Sequence, residues 1–338
     1  MDKTLMEQTA RAMVAKGKGL LAADESSGTC EKRFKSVNVA CTEENRRVYR
    51  EMLFTASGAK EYISGVILYD ETLRQKTSDG VPFSEYLNKN GIIPGIKVDG
   101  GAKDLPFSPG EQVTEGLDGL RSRLKEYFEL GARFAKWRAV INIGAGIPTA
   151  ACIEANAHAL ARYSALCQEA SIVPIVEPEV ILEGDHTIER CYDVSEATLR
   201  SLFNALVQQR VSLEHVVLKA SMVLSGSKAP NRAGVQEVAE KTLKVLKRTV
   251  PAALPGVVFL SGGQTDEEAT AHLDAMNRIG GAPWPLTYSY SRALQAAALK
   301  AWSGQQGNVK AAQDAFNHRA KMNSLASQGK WTPELEKK

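Results

Sequence analysis

No run of apolar residues in this 338-residue chain approaches the roughly 18–20 that a membrane-spanning helix requires. Basic and acidic residues nearly cancel, 42 Lys and Arg against 39 Asp and Glu for a formal net charge of +3, and no dense basic block occurs. Electrostatics therefore makes no case for nucleic acid as a partner. Met1-Asp2-Lys3-Thr4 has no apolar signal core behind it, so neither a secretory nor a transit peptide is expected. The five cysteines (Cys30, Cys41, Cys152, Cys167, Cys191) lack C-x-x-C spacing and read as reduced packing thiols of a cytoplasmic protein. The five histidines (His158, His186, His215, His272, His318) are scattered, with no H-x-H or H-E-x-x-H. His186 beside Asp185 is the nearest approach to a ligand pair, so no metal is expected.

What is present is a chain that is 43% hydrophobic and 24% charged, the balance of a globular protein with a sizeable core. Short β-branched runs recur at 19–24, 66–69, 92–99, 134–141, 172–180, 216–223, 257–263 and 286–290. Helical apolar periodicity falls between most of them, at 4–17, 120–131, 149–169, 199–206, 235–248 and 267–278, with further helices at 292–304 and 308–327. Another helix opens at Thr42-Glu43-Glu44, a cap followed by acids suited to a first turn, and ends near Gly58. Residues 24–28 read as a polar loop. Alternation of this kind argues for a parallel sheet, and eight units closing on themselves argue for a (β/α)8 TIM barrel with additional N- and C-terminal helices. The rival is an open doubly wound sheet. No G-x-G-x-x-G or G-x-x-x-x-G-K-[ST] follows the first strand, which weighs against its nucleotide-binding form. No composition break marks a linker, so residues 1–338 are expected to form one domain with a short tail over about 328–338.

The informative residues sit at the strand ends. Glu177 and Glu179, spaced by Pro178, share one face of an extended strand. Two buried acids on one face are costly unless cations answer them. Lys97 and Asp99 share a face of the third strand, Lys136 and Arg138 of the fourth; Asp24 closes the first, and Lys219 lies in the sixth. In a barrel these ends converge on one mouth, where active sites of this fold lie. A free lysine, with a pKa of about 10.4, is a poor nucleophile. Crowded with other cations and buried, it can attack a ketone and form a Schiff base. The iminium then withdraws electrons from the neighbouring carbon–carbon bond, and Glu177, Lys136 and Asp24 are candidates for the proton transfers. Periodicity does not say which lysine becomes covalent. Ser261-Gly262-Gly263 is a strand entering a glycine turn, a cradle for an anion, and Ser289, Ser291 and Arg292 close the eighth strand nearby. Across the mouth, Ser26, Thr29, Lys32 and Arg33 offer a second anion site. Two anion sites flanking an amine point to a bis-phosphorylated sugar.

Over about residues 5–333 the chain resembles the class I, Schiff-base-forming fructose-1,6-bisphosphate aldolases. The matching segments are LLAADESS (20–27), TEENRR (42–47), GIKVD (95–99), GLDGL (116–120), FAKWR (134–138), IVPIVEPE (172–179), GDH (184–186), FLSGGQ (259–264), RALQ (292–295) and LKAW (299–302). The resemblance implies reversible cleavage of fructose 1,6-bisphosphate to dihydroxyacetone phosphate and glyceraldehyde 3-phosphate, with sugar phosphates as the partners and no metal or other cofactor. It implies Lys219 as the Schiff-base residue and Glu177 as the acid/base for iminium formation and dehydration. Asp24 would take the proton of the 4-hydroxyl, Lys136 would support carbinolamine formation, and Glu179 would hold the lysine charges in place. Ser261, Gly262 and Arg292 match the 1-phosphate site. Ser26, Thr29, Lys97 and Arg138 match the open-chain sugar and 6-phosphate side, with Lys32 and Arg33 as contributors. The family is often a cytoplasmic homotetramer.

Three departures accompany this resemblance. Ala220-Ser221 follows the lysine where the family has proline and then Asn or Ser. Ser291 stands where it has glycine, a strain of about 1 kcal/mol if the position needs positive φ. The last tyrosine is Tyr290, where many members carry a tail tyrosine that aids proton exchange on the enamine, so that exchange is expected to use another group. The alternatives to the leading reading are a Schiff-base aldolase of another ketose 1-phosphate, or a weakly catalytic phosphosugar-binding scaffold.

Overall fold

In a computed structural model of the protein, which describes residues 1–337, ten strands form in chain order. They are β1 (Gly19–Ala23), β2 (Ile63–Leu68), β3 (Ile93–Lys97), β4 (Ala102–Asp104), β5 (Gln112–Thr114), β6 (Phe134–Ile141), β7 (Val173–Val180), β8 (Val217–Ala220), β9 (Val257–Phe259) and β10 (Leu286–Tyr290). Eight of these pair in parallel and close into a barrel in the order β1-β2-β3-β6-β7-β8-β9-β10, with β10 against β1, while β4 and β5 form a separate antiparallel hairpin. The expected barrel is the one observed, and helices connect most of its successive strands.

The strands form where β-branched and small residues can be buried on both faces: β1 and β2 have no exposed position at all. One face of each turns inward, and Leu20, Ala22, Ile67, Phe134, Val173, Ile175, Val217 and Val258 make a single interior cluster. Met6, Ala10 and Met13 of the helix Lys3–Met13 belong to that same cluster. The Ser64 hydroxyl donates to the carbonyls of Met13 and Gly19 (2.6 and 3.0 Å), which ties that helix to the beginnings of β1 and β2. The N-terminal helix therefore stoppers the end of the barrel opposite the mouth. Inside, Phe134 fills space that neighbouring strands leave empty; a Cβ on Gly95 would lie 2.2 Å from its ring.

Several boundaries differ from the sequence expectation. β2 begins at Ile63 rather than Val66: Ser64 and Gly65 interrupt the apolar run, but the strand continues through them, with Ile63 and Gly65 paired to β1 and the register shifting at Ser64. β8 ends at Ala220 and β9 at Phe259, since the residues beyond leave the ladder to build the mouth. Residues 27–35, expected within or after a polar loop, form the helix Ser27–Lys35. That helix buries only Cys30 and Phe34, too sparse a stripe to register as periodicity. The hairpin β4–β5 and the short helices Ser57–Tyr62, Asp70–Arg74 and Phe83–Lys89 also went unmarked, each being shorter than one clear apolar repeat.

Candidate active site

Along each inward face the residue type changes from apolar to charged as the strand nears its C-terminal end. β7 runs Val173, Ile175, Glu177, Glu179; β6 runs Phe134, Lys136, Arg138; β8 runs Val217, Lys219. β6 and β7 pair with Arg138 opposite Glu177 and Val140 opposite Glu179, so the charges of adjacent strands meet at similar height. Around them lies a cavity of about 340 Å³, lined by every candidate residue named from the sequence except Lys32.

At its floor Glu177 stands between two lysines. Its Oε1 is 3.1 Å from Lys219 Nζ and its Oε2 is 3.4 Å from Lys136 Nζ. Asp24 closes the row, with Oδ2 2.6 Å from Lys136 Nζ. Lys136, Lys219 and Glu177 are all at least 96% buried, so these ion pairs are formed away from bulk water and act strongly on one another. Burial favours the neutral acid at Asp24, but the ammonium groups of Lys136 and Lys219 outweigh it and hold the carboxyl at about 2. Glu177 is likewise pulled below the usual carboxylate range: burial pushes it up, and Lys219, Lys136 and Arg138 pull it down further. For Lys136, burial pushes the ammonium down, yet Asp24, Glu177 and Asp99 together raise it above the ordinary lysine value. Two carboxylates thus keep the proton on Lys136. Lys219 has Glu177 alone, and shares it.

Further out, Lys97 pairs with Asp99 at 3.1 Å, and Asp99 also accepts from the Arg138 backbone N–H at 3.2 Å. Glu179 was expected to steady the lysines. It instead pairs with the guanidinium of Arg138, because the two-residue step along β7 lifts it past the lysine layer to the height of that longer side chain. The same carboxylate shapes the glycine turn, since a Cβ on Gly262 would sit 2.9 Å from Glu179 Oε1. Ser261 and Gly262 line the cavity, and Thr265 opens the helix Asp266–Ile279 with a reciprocal capping box to Glu268. Ser289 is 1% exposed and its hydroxyl has no protein partner, an orphan donor beside the cavity. Ser26 and Thr29 place their hydroxyls 3.3 Å apart at the N-terminal end of the helix Ser27–Lys35.

Lys32 is the one candidate the structure leaves outside: it is exposed, and the helix turns its side away from the cavity that Thr29 and Arg33 line. Glu25 reads in the sequence only as part of the polar loop over residues 24–28. Its side chain enters the cavity wall, where it binds Arg33, Ser291 and Gln295. An acid beside an acid at a strand end was the only trace of it in the sequence. Ser291 adopts φ −105°, so the left-handed strain anticipated for serine there does not arise. Ser221 settles the other departure: its hydroxyl accepts from Val180 N–H (3.0 Å) and donates to Val180 O (3.2 Å), fastening the end of β8 to the end of β7. Tyr290 is fully buried with its hydroxyl on Ala269 O. Among the described residues no cluster of His, Cys, Asp and Glu has metal-binding geometry.

The sequence matches the family described as fructose-bisphosphate aldolase class-I over residues 5–338. It is 64% identical over 327 residues to a probable fructose-bisphosphate aldolase class 1 of Xanthomonas campestris pv. campestris, covering 96% of this chain and 98% of that one. A cytosolic fructose-bisphosphate aldolase of Arabidopsis thaliana is 52% identical over 96% of this chain and 91% of its own length. The fold superposes on the fructose-bisphosphate aldolase of Plasmodium falciparum, solved with TRAP and a small-molecule inhibitor. The TM-score is 0.96 at 47% identity, over 97% of this chain and 95% of that one.

Proposed function

The chain belongs to the class I fructose-bisphosphate aldolases, and on that premise we propose how its own residues divide the work. It is a carbon–carbon lyase that reversibly cleaves fructose 1,6-bisphosphate into dihydroxyacetone phosphate and glyceraldehyde 3-phosphate. Members of this class use a lysine Schiff base and no metal.

The observation that carries the assignment is the row Lys219–Glu177–Lys136–Asp24. Lys219 is the nucleophile: two carboxylates hold Lys136 protonated, whereas a single carboxylate faces Lys219. Its neutral amine attacks the C2 carbonyl of the open-chain ketose, and the carbinolamine loses water to give the iminium. Glu177 moves the protons of these steps. Lys219 is the cation that lowers its pKa most, so Glu177 becomes a better base when that nitrogen gives up its charge. Lys136, 3.4 Å from the same carboxylate, orients it and supports the carbinolamine oxygen. Asp24 is kept ionised and is the base for the C4 hydroxyl as the C3–C4 bond breaks into the enamine. Glu179 acts by holding Arg138.

Ser261, Gly262, Ser289 and Arg292 bind the 1-phosphate, while Ser26, Thr29, Lys97, Arg138 and Arg33 bind the sugar hydroxyls and 6-phosphate. Among the described residues Arg292 has no ion-pair partner, which leaves its full fork for an anion. A cytoplasmic homotetramer belongs to the same proposal. The cytosolic relative supports the location, and the family resemblance is what implies the tetramer. Borohydride reduction in the presence of dihydroxyacetone phosphate, followed by peptide mapping, should place a covalent adduct on Lys219. Lys219→Met should abolish cleavage while the far-ultraviolet circular dichroism is unchanged. An adduct on Lys136 with cleavage retained in Lys219→Met would overturn the assignment.

A further inference from the structure

Glu25 is 8% exposed, and one of its oxygens, Oε1, accepts three hydrogen bonds. They come from Arg33 Nη1 at 2.5 Å, the Ser291 hydroxyl at 2.7 Å and Gln295 Nε2 at 2.9 Å. Each contact is fixed from behind. Arg50, 1% exposed, donates to the Glu25 carbonyl at 2.7 Å and lies 3.8 Å from Oε2. Gln295 is pinned by Ala22 O at 2.7 Å and by the Tyr49 hydroxyl at 3.2 Å. The Ser291 hydroxyl, having given its proton to Glu25, accepts from Arg33 Nη1 at 3.0 Å and from Gln295 Nε2 at 3.2 Å.

Arg33 therefore spends a single nitrogen on the protein. Nη1 makes both contacts, while Nε and Nη2 carry no protein hydrogen bond, and the side chain keeps 23% of its surface exposed at the cavity. Those two free groups are the edge a guanidinium presents to a phosphate in a bidentate pair. Ser291 precedes Arg292 in sequence, yet its hydroxyl points away from that arginine and onto Arg33.

We propose that Ser291 is a positioning residue for Arg33, holding its free edge toward the phosphate carried by the aldehyde half of the substrate. The proposal rests on the division of phosphates given above. It assigns the Ser291 hydroxyl to the 6-phosphate side, whereas the sequence put Ser291 with Arg292 and the 1-phosphate. Glycine at this position would leave Arg33 to Glu25 alone, so the chain gains a second constraint on the arginine's orientation.

The condensation reaction separates the two halves, because glyceraldehyde 3-phosphate carries the future 6-phosphate and dihydroxyacetone phosphate the 1-phosphate. Ser291→Ala is expected to raise the KM for glyceraldehyde 3-phosphate about 3- to 10-fold, the net scale of one ordinary hydrogen bond exchanged for water. The KM for dihydroxyacetone phosphate should move far less. Ser291→Thr, which keeps the hydroxyl, should restore the wild-type value. In an Arg33→Ala background, Ser291→Ala should add no further loss in the KM for glyceraldehyde 3-phosphate, since its effect on that phosphate runs through the Arg33 side chain. An equal rise in both KM values, or an undiminished effect without Arg33, overturns the proposal. Borohydride trapping on Lys219 reads the chemistry independently, so failure of either reading leaves the other standing.

Discussion

Lys136 and Lys219 reach the same carboxylate from the strands on either side of it, β6 and β8, and the sequence offers them as equals. What separates them is Asp24, delivered to within 2.6 Å of Lys136 by the end of β1. The same contact has a measurable consequence in acid. Asp24 titrates at about 2 in the fold against an ordinary 3.8; burial works against ionisation there, and the two ammonium groups overcome it. With the folded value below the unfolded one, the unfolded chain binds more protons between them. The contribution to stability is therefore complete above about 3.8 and is lost as the pH falls toward about 2. Urea midpoints of wild type and Asp24→Asn, compared from pH 5 downward, should converge across that window; parallel curves would refute the linkage. Residue identity at the site was legible, since charged residues at strand ends are costly without a use. Pairing was not, and Glu179 shows why. The sequence fixes which face a side chain leaves from, while its partner depends on how far the neighbouring side chain reaches.

Among the elements, β6 and β7 were readable to within a residue because both bury nearly every position. The helix Ser27–Lys35 and the hairpin β4–β5 were not, being short and mostly exposed or half-exposed. β3 carries a constraint invisible to periodicity. Gly95 is there because the Phe134 ring on β6 occupies the place of its side chain, with a Cβ–ring approach of 2.2 Å. Gly95→Ala is expected to destabilise the protein by about 1–3 kcal/mol through overpacking, read as a lower urea midpoint. No loss would mean that Phe134 rotates away at little cost.

At the scale of the whole molecule, the barrel has a working end and a stoppered end. Met13 is fully buried in the interior cluster alongside Val173 and Val217, strand residues that lie below Glu177 and Lys219. Met13→Ala should cost about 2–5 kcal/mol in equilibrium unfolding. The rate of borohydride trapping at Lys219 should hardly change, because the apolar layer separates the two ends. A trapping rate that falls along with stability would show that the stopper governs the site. The sequence by itself determined the alternation of strand and helix, the barrel, and the chemical types gathered at its mouth. It could do so because backbone periodicity and the cost of buried charge act locally along the chain. Only the tertiary structure decided which cation answers which carboxylate, that Lys32 faces away, and that Ser291 serves Arg33. Those outcomes depend on distances between side chains that leave different strands and helices. A Coulomb interaction or a hydrogen bond is won or lost over an ångström or two, which no spacing in the sequence encodes.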